Sequence, residues 1–217
     1  GDVYAQRVGS SGDMLWTGDG VAIVSLSSSQ YYAAIGPDGS GGAVVAWIDR
    51  RSGLREVYSQ RIGPDGAALW TADGVAVCVT GADEIEFSLA SDGSGAVYAW
   101  REYRMYYPQE IRLQKLDLTG APLWAPGGLL ACNYSSDKYS TRVVMNLDGG
   151  AIVAWNEPRG MCAQRVSALG AIQWSAEGNE VFDAAGPPYY PFAADGAGGV
   201  VIGTTRVSEV DGSSDVY

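Results

Sequence analysis

The chain has 217 residues, 25 carboxylates against 14 basic residues and a formal net charge of −11. That acidity reads as solubility, and it argues against nucleic acid or an anionic membrane surface as partner, since both need a basic footprint. There is no histidine, so the commonest general base and metal ligand is missing, and no Ser-His-Asp or Cys-His arrangement can form within the chain.

The first stretch is Asp2-Val3-Tyr4-Ala5-Gln6-Arg7-Val8, then a turn, then Gly12-Asp13-Met14-Leu15-Trp16. It returns as Glu56 to Ile62 with Gly66 to Trp70, as Ile111 to Leu116 with Gly120 to Trp124, and as Met161 to Val166 with Gly170 to Trp174. Asp215-Val216-Tyr217 begins a fifth copy. By subtraction the four tryptophans lie 54, 54 and 50 residues apart. A period of that size predicts a repeat architecture. We read one domain over residues 1–217, with repeats starting near 2, 56, 111 and 161 and a fifth beginning at 215.

Each repeat reads as four short strands. In the second unit, Tyr31 to Ile35 is the first strand and Ala43 to Ile48 the second. Glu56 to Ile62 is the third, and the fourth runs from Leu69 through Val79. The strands carry β-branched and aromatic residues, and the turns carry Pro-Asp-Gly and Asp-Gly for positions of positive φ. Ala43 to Ile48, Ala96 to Trp100 and Ala151 to Trp155 are apolar at nearly every position, so the second strand should be covered on both faces. On the third strand Tyr58, Gln60 and Ile62 share a face. Gln6, Gln60, Gln114 and Gln164 form a repeated amide among apolar neighbours, expected to hydrogen-bond between units. No helix-period segment of ten or more residues is present. The Asp-Gly loops lack the alternating oxygen ligands and closing Glu of calcium loops, and no metal site is read from them.

Cys78 and Cys132 occupy equivalent places one unit apart, too far for a disulfide, and Cys162 sits on a different strand. Three small buried thiols are expected. No secretory apolar region and no span of 18 apolar residues appears, so no membrane insertion is expected. A chain that opens inside a repeat motif reads as a piece of something longer.

Four-stranded antiparallel units of about 54 residues, buried on both faces, predict an all-β chain of β-propeller blades. Four repeats make either a closed four-bladed ring or a segment of a larger propeller. Gly followed four positions later by Trp, at Gly12/Trp16, Gly66/Trp70, Gly120/Trp124 and Gly170/Trp174, is similar to the tryptophan-docking repeat of quinoprotein-type propellers. Val-Tyr-Ala-Gln-Arg, Asp-Gly-Ser-Gly-Gly-Ala and Ala-Trp-Ile-Asp-Arg-Arg-Ser-Gly together resemble the propeller-like repeats of large secreted bacterial proteins. The resemblance covers essentially the whole chain. It implies the blade and an extracellular or cell-surface location. It implies no quinoprotein activity, and no cofactor is expected.

In such a fold the loops between second and third strands share the face that hosts ligands. Here they open as Trp47-Ile48-Asp49-Arg50-Arg51, Trp100-Arg101-Glu102-Tyr103-Arg104 and Trp155-Asn156-Glu157-Pro158-Arg159. The fourth unit breaks the pattern with Gly203-Thr204-Thr205-Arg206-Val207. Asp49, Arg51, Glu102, Arg104, Glu157 and Arg159 either grip a sugar or peptide acid, or tie each loop to itself and its neighbour. Tyr103, Tyr106 and Tyr107 sit in the longest loop and complete the candidate ligand-binding set. Tyr31, Tyr32, Tyr134, Tyr139, Tyr189 and Tyr190 lie near strand starts and divide between recognition and core.

The seven tryptophans fall into two registers. Trp16, Trp70, Trp124 and Trp174 open fourth strands, and Trp47, Trp100 and Trp155 close second strands. One such residue per unit at a constant place points to docking between blades, not to a sugar-stacking ladder. The leading functional expectation is a non-catalytic extracellular binding or scaffold module for glycan or protein. The alternatives are a carbohydrate-active enzyme, a glycosidase or lyase using loop carboxylates, and a subunit of a surface structure that self-associates through open blade edges.

Overall fold

A computed structural model describes residues 1–183, 190–207 and 214–216, with backbone alone for 206, 207 and 214–216. Tyr189 and Tyr217 lie outside the described residues. These residues hold strands and turns and no helix. β1 (Val3–Ala5) pairs with β2 (Val21–Val24). β3 (Gln30–Pro37), β4 (Ala43–Asp49), β5 (Glu56–Ile62) and β6 (Val75–Ala76) form a four-stranded antiparallel sheet in chain order. β7 (Asp83–Asp92), β8 (Gly95–Tyr103), β9 (Glu110–Leu116) and β10 (Leu129–Leu130) form the next. β11 (Tyr139–Met145), β12 (Ala151–Glu157), β13 (Gly160–Val166) and β14 (Asn179–Phe182) form the third. β15 (Phe192–Ala194) pairs with β16 (Val200–Ile202), and β17 (Thr205–Val207) with β18 (Ser214–Val216).

The sheets stack face to face, and the second strand explains why. Val44, Ala46 and Ile48 of β4 point forward, onto Ala96, Tyr98 and Trp100 of β8. Val45 and Trp47 point backward, onto Val3, Ile23 and Val24. β8 repeats the alternation, sending Val97 and Ala99 forward onto Ala151, Val153 and Trp155 of β12. Period-2 geometry gives a strand two faces, and here both are core, which is why its sequence shows no polar alternation. A fully buried aliphatic or aromatic side chain contributes roughly 1.5–3 kcal/mol. The first strands β3, β7, β11 and β15 touch in series along one side of the stack.

The fourth strand is far shorter than the eleven residues expected, covering Val75–Ala76 in the second unit. The reason lies in Gln60. Its side-chain oxygen accepts the backbone N–H groups of Arg61 and Trp70 at 3.0 and 2.9 Å, and its amide donates to the carbonyl of Thr71 at 2.8 Å. The amide takes the place of ladder bonds and holds Leu69 to Gly74 as a wide turn. Gln6, Gln114 and Gln164 do the same. These glutamines therefore bond within their own unit, correcting the expectation of bonds between units, and Trp16, Trp70, Trp124 and Trp174 sit in turns before the fourth strands. What crosses between units is the tryptophan itself: Trp16, Trp70 and Trp124 each send an indole N–H into the following unit.

Where the fourth unit has Gly203 in place of a tryptophan, its second strand is broken. β16 stops at Ile202 and β17 resumes at Thr205. The three cysteines are free and buried. The Asp of each Asp-Gly turn closes its own loop: Asp38 accepts from the N–H groups of Ser40 and Gly42, and Asp195 from those of Ala197 and Gly199. Such turns satisfy backbone donors that no strand would.

Candidate functional site

The loop acids are turned inward. Asp49 is fully buried and accepts from the indole of Trp47 at 2.9 Å and from the Arg51 side chain at 2.7 Å. Burial would raise its pKa, and the bonds from Arg51 and Trp47 outweigh burial and hold it low. Glu157 is likewise buried, and the Cys162 thiol, Ser136 hydroxyl and Arg159 guanidinium overcome the same burial cost. The Cys162 thiol is itself pushed up to about 12 by burial and by Glu157. Glu102 lies between Arg104 at 2.7 Å and Arg112 at 3.1 Å. The arginines also fix their surroundings. Arg51 donates to the carbonyl of Asp73 and stacks 3.8 Å over Tyr58, and Arg159 lies 4.4 Å over Tyr134. Of the two readings of this repeated pattern, the ion pair that ties the loop to its own sheet describes the geometry.

The 103–109 loop does reach solvent. Tyr106 is 95% exposed and Tyr107 70%, at the tip of a turn closed by the Tyr107 N–H on the Arg104 carbonyl. A cleft of about 230 Å³ lies beneath, lined by Glu102, Arg104, Tyr107, Pro108, Glu110 and Arg112. Its charges alternate in pairs, Arg112 bridging Glu102 and Glu110.

A larger cavity, about 670 Å³, opens where the first strands of three sheets converge. Its polar and aromatic lining comes from Tyr32, Arg55, Glu86, Phe87, Arg101, Tyr139, Ser140 and Arg142. Each first strand carries a β-bulge here, between Tyr31 and Ala34, Ile85 and Phe87, and Tyr139 and Arg142. At each bulge one non-glycine residue has positive φ: Tyr32 at 54°, Glu86 at 50° and Ser140 at 59°. These three positions are spaced 54 apart (86 − 32 and 140 − 86) and are equivalent in their repeats. A bulge re-aims side chains, and a positive φ outside glycine costs roughly 1–2 kcal/mol. Strain repeated at one place in three units is kept against that cost, and such strain clusters at functional sites.

The cavity wall is cross-linked. Glu86 pairs with Arg101 at 3.1 Å and accepts the Thr141 N–H at 3.1 Å. Arg55 pairs with Asp83 at 2.9 Å, and the Tyr190 hydroxyl donates to the Ser140 carbonyl at 2.6 Å. Of this set sequence reasoning reached Tyr31, Tyr32, Tyr139 and Tyr190 as residues near strand starts. It missed Arg55, Glu86, Arg101 and Arg142. The available signal was a charged residue inside a first strand, at Glu86 and Arg142, where siblings have other residues.

Behind the cavity, Glu84 is fully buried between two sheets. One carboxyl oxygen accepts the Val57 N–H at 2.7 Å and the other has no hydrogen-bond partner among the described residues. Burial pushes its pKa up to about 8, and Glu56 and Glu102 add to the rise against the Val57 bond. The equivalent positions hold Gln30 and Lys138, both buried.

No family model matches the chain. No curated protein matches it either. Among solved structures it is similar to an endo-arabinase from Bacteroides thetaiotaomicron VPI-5482, with a TM-score of 0.43 and 15% identity over 87% of this chain and 72% of that one.

Proposed function

We propose that the chain is an array of β-propeller blades serving as a non-catalytic extracellular or cell-surface binding module, and that the cavity between the first strands takes a glycan or protein ligand. The propeller reading is supported by consecutive four-stranded sheets, each burying both faces, whose first strands meet in series. The single observation that carries the binding reading is that cavity. It gathers guanidiniums, tyrosines and repeated backbone strain where the rest of the unit repeats its packing.

The non-catalytic part rests on the carboxylates. Glycoside hydrolysis ordinarily needs two acids flanking the bond, and among the described residues Glu86 is the sole carboxylate lining the cavity. Asp49, Glu102 and Glu157 are buried in ion pairs. Glu84 has the raised pKa of a general acid but does not line the cavity.

The test is a panel of neutral and acidic polysaccharides, scored for saturable binding and for new reducing ends. We expect binding without turnover, and loss of binding in Tyr139→Ala. Turnover that Glu86→Gln abolishes would establish the enzymatic reading instead. A small-angle scattering envelope without a disc or arc of stacked blades would remove the propeller.

A further inference from the structure

The cavity between the first strands collects positive charge in an acidic chain. Of its lining residues Arg55, Arg101 and Arg142 are cationic and Glu86 is anionic; with Asp83, which pairs with Arg55, that is three against two, formally +1 while the chain is −11. A concave site with low-dielectric walls focuses such a field, and elsewhere the acidic surface repels anions. Two of the guanidiniums already hold one carboxylate each, Arg55 with Asp83 and Arg101 with Glu86. That pairing keeps them positioned at low entropic cost for a second acceptor, and an arginine fork has five donors to offer. The Arg101 Nε is buried with no acceptor among the described residues.

The remaining wall mixes small aliphatic side chains with three aromatic rings. Tyr32 is 78% exposed, and Tyr139 and Phe87 are half-buried. Flat faces beside guanidiniums suit a ring that carries both C–H faces and a charged group. The repeats add an independent argument. Packing positions away from the cavity keep one residue type through three units, Trp47, Trp100 and Trp155 or Gln60, Gln114 and Gln164. Positions 32, 86 and 140 share one strained backbone conformation yet carry Tyr, Glu and Ser. A constant backbone with a changing side chain, facing a cavity, presents a different group from each unit and suits a partner that does not repeat.

We propose that this cavity binds an acidic saccharide. Its carboxylate sits among Arg55, Arg101 and Arg142, its ring packs on Tyr32 and Tyr139, and the side chains at 32, 86 and 140 set specificity. The proposal rests on the reading of the cavity as a binding site and names its ligand class.

Titration calorimetry on the whole chain tests it, with trigalacturonate, its methyl-esterified form and citrate as probes. Trigalacturonate should bind. The ester, the same sugar without charge, should bind at least tenfold more weakly, as should trigalacturonate to Arg142→Gln. Arg165→Gln, near the end of β13 and outside the cavity lining, should leave affinity unchanged. If Arg142→Gln fails to fold, Arg55→Gln carries the same expectation. Ester binding equal to the acid would overturn the acidic ligand while leaving a glycan site standing. Citrate binding as tightly as trigalacturonate would overturn the saccharide. No binding by any of the three would overturn the inference whole, and the wider polysaccharide panel then decides the cavity reading separately.

Discussion

The indole nitrogen of Trp70 donates to the carbonyl of Leu118, 48 residues ahead, at 2.9 Å. Trp16 makes the same bond to Pro64 at 3.1 Å and Trp124 to Ala168 at 3.0 Å. Each indole also lies against a glycine of that next turn: a Cβ at Gly66, Gly120 or Gly170 would stand about 3 Å from the ring of Trp16, Trp70 or Trp124. The Gly-to-Trp spacing of the sequence is therefore two halves of a contact between neighbours. The glycine of one unit receives the tryptophan of the one before.

Trp70→Ala should cost about 3–5 kcal/mol, the range for a large buried aromatic, and Trp70→Phe should keep most of the packing while losing about 1 kcal/mol for the bond. Trp16 and Trp174 are only half-buried, so their alanine variants should cost less than Trp70→Ala or Trp124→Ala. Urea unfolding midpoints check the order.

Gly74 and Gly53 both have positive φ, 81° and 94°. A Cβ at Gly74 would lie 2.5 Å from the Trp47 ring and 2.7 Å from the Ser59 carbonyl, whereas at Gly53 nothing lies within 4 Å. Gly53→Ala should therefore cost about 1–2 kcal/mol for backbone strain alone, and Gly74→Ala clearly more. Equal losses in a denaturant series would show that the fit over Trp47 does not matter.

Glu84 sets a pH dependence of stability. Its pKa is raised from an ordinary 4.5 to about 8 in the fold, so folding favours the protonated acid. That contribution is full below pH 4.5 and is lost as pH rises to 8, with a limiting slope of roughly 1.4 kcal/mol per pH unit. Asp38 acts oppositely. Bonds from Ser40, Gly42 and Arg61 outweigh its burial and lower it to about 2, so its contribution is lost in acid. Stability should peak near pH 4–5 and fall toward pH 8, and Glu84→Gln should flatten the alkaline side. An unchanged slope in that variant, measured by urea unfolding from pH 5 to 9, would assign the titration elsewhere.

Ser140→Gly should raise the thermal midpoint. Relief of roughly 1–2 kcal/mol of left-handed strain exceeds the 0.4–1 kcal/mol of added unfolded-state freedom. The carbonyl that receives the Tyr190 hydroxyl belongs to the backbone and survives the change. A lowered midpoint would mean that the Ser140 side chain holds the fold.

The fourth unit should open first. β16 covers three partly exposed residues, where β4 buries Val44 to Ile48. Amides from Val200 to Ile202 should exchange faster than those of Val44 to Ile48. Equal protection would show that tryptophan at the second-strand end is not what secures a unit.

The sequence by itself determined the unit, its strand order and its turns. Those depend on local chemistry: continuous apolar runs along β4, β8 and β12 and positive φ at turn glycines. For Asp49 and Glu157 the repeated pattern left two readings open, a grip on a ligand or a tie within the loop. Tertiary structure alone decided what the glutamines bond to. Gln60 reaches an N–H ten residues away on its own wide turn, and a linear pattern cannot distinguish that from a neighbour's strand. It alone decided where the cavity lies. Period-2 alternation assigns side chains to faces only while register holds, and one extra residue at Tyr32, Glu86 and Ser140 shifts it. At the wall beside these bulges Arg55, just before β5, meets Arg101 of β8 and Arg142 of β11. Stacking also buries Glu84, as it buries Gln30 and Lys138 at the equivalent places of the adjacent units. No spacing rule predicts such a meeting, because it is set by how whole sheets stack.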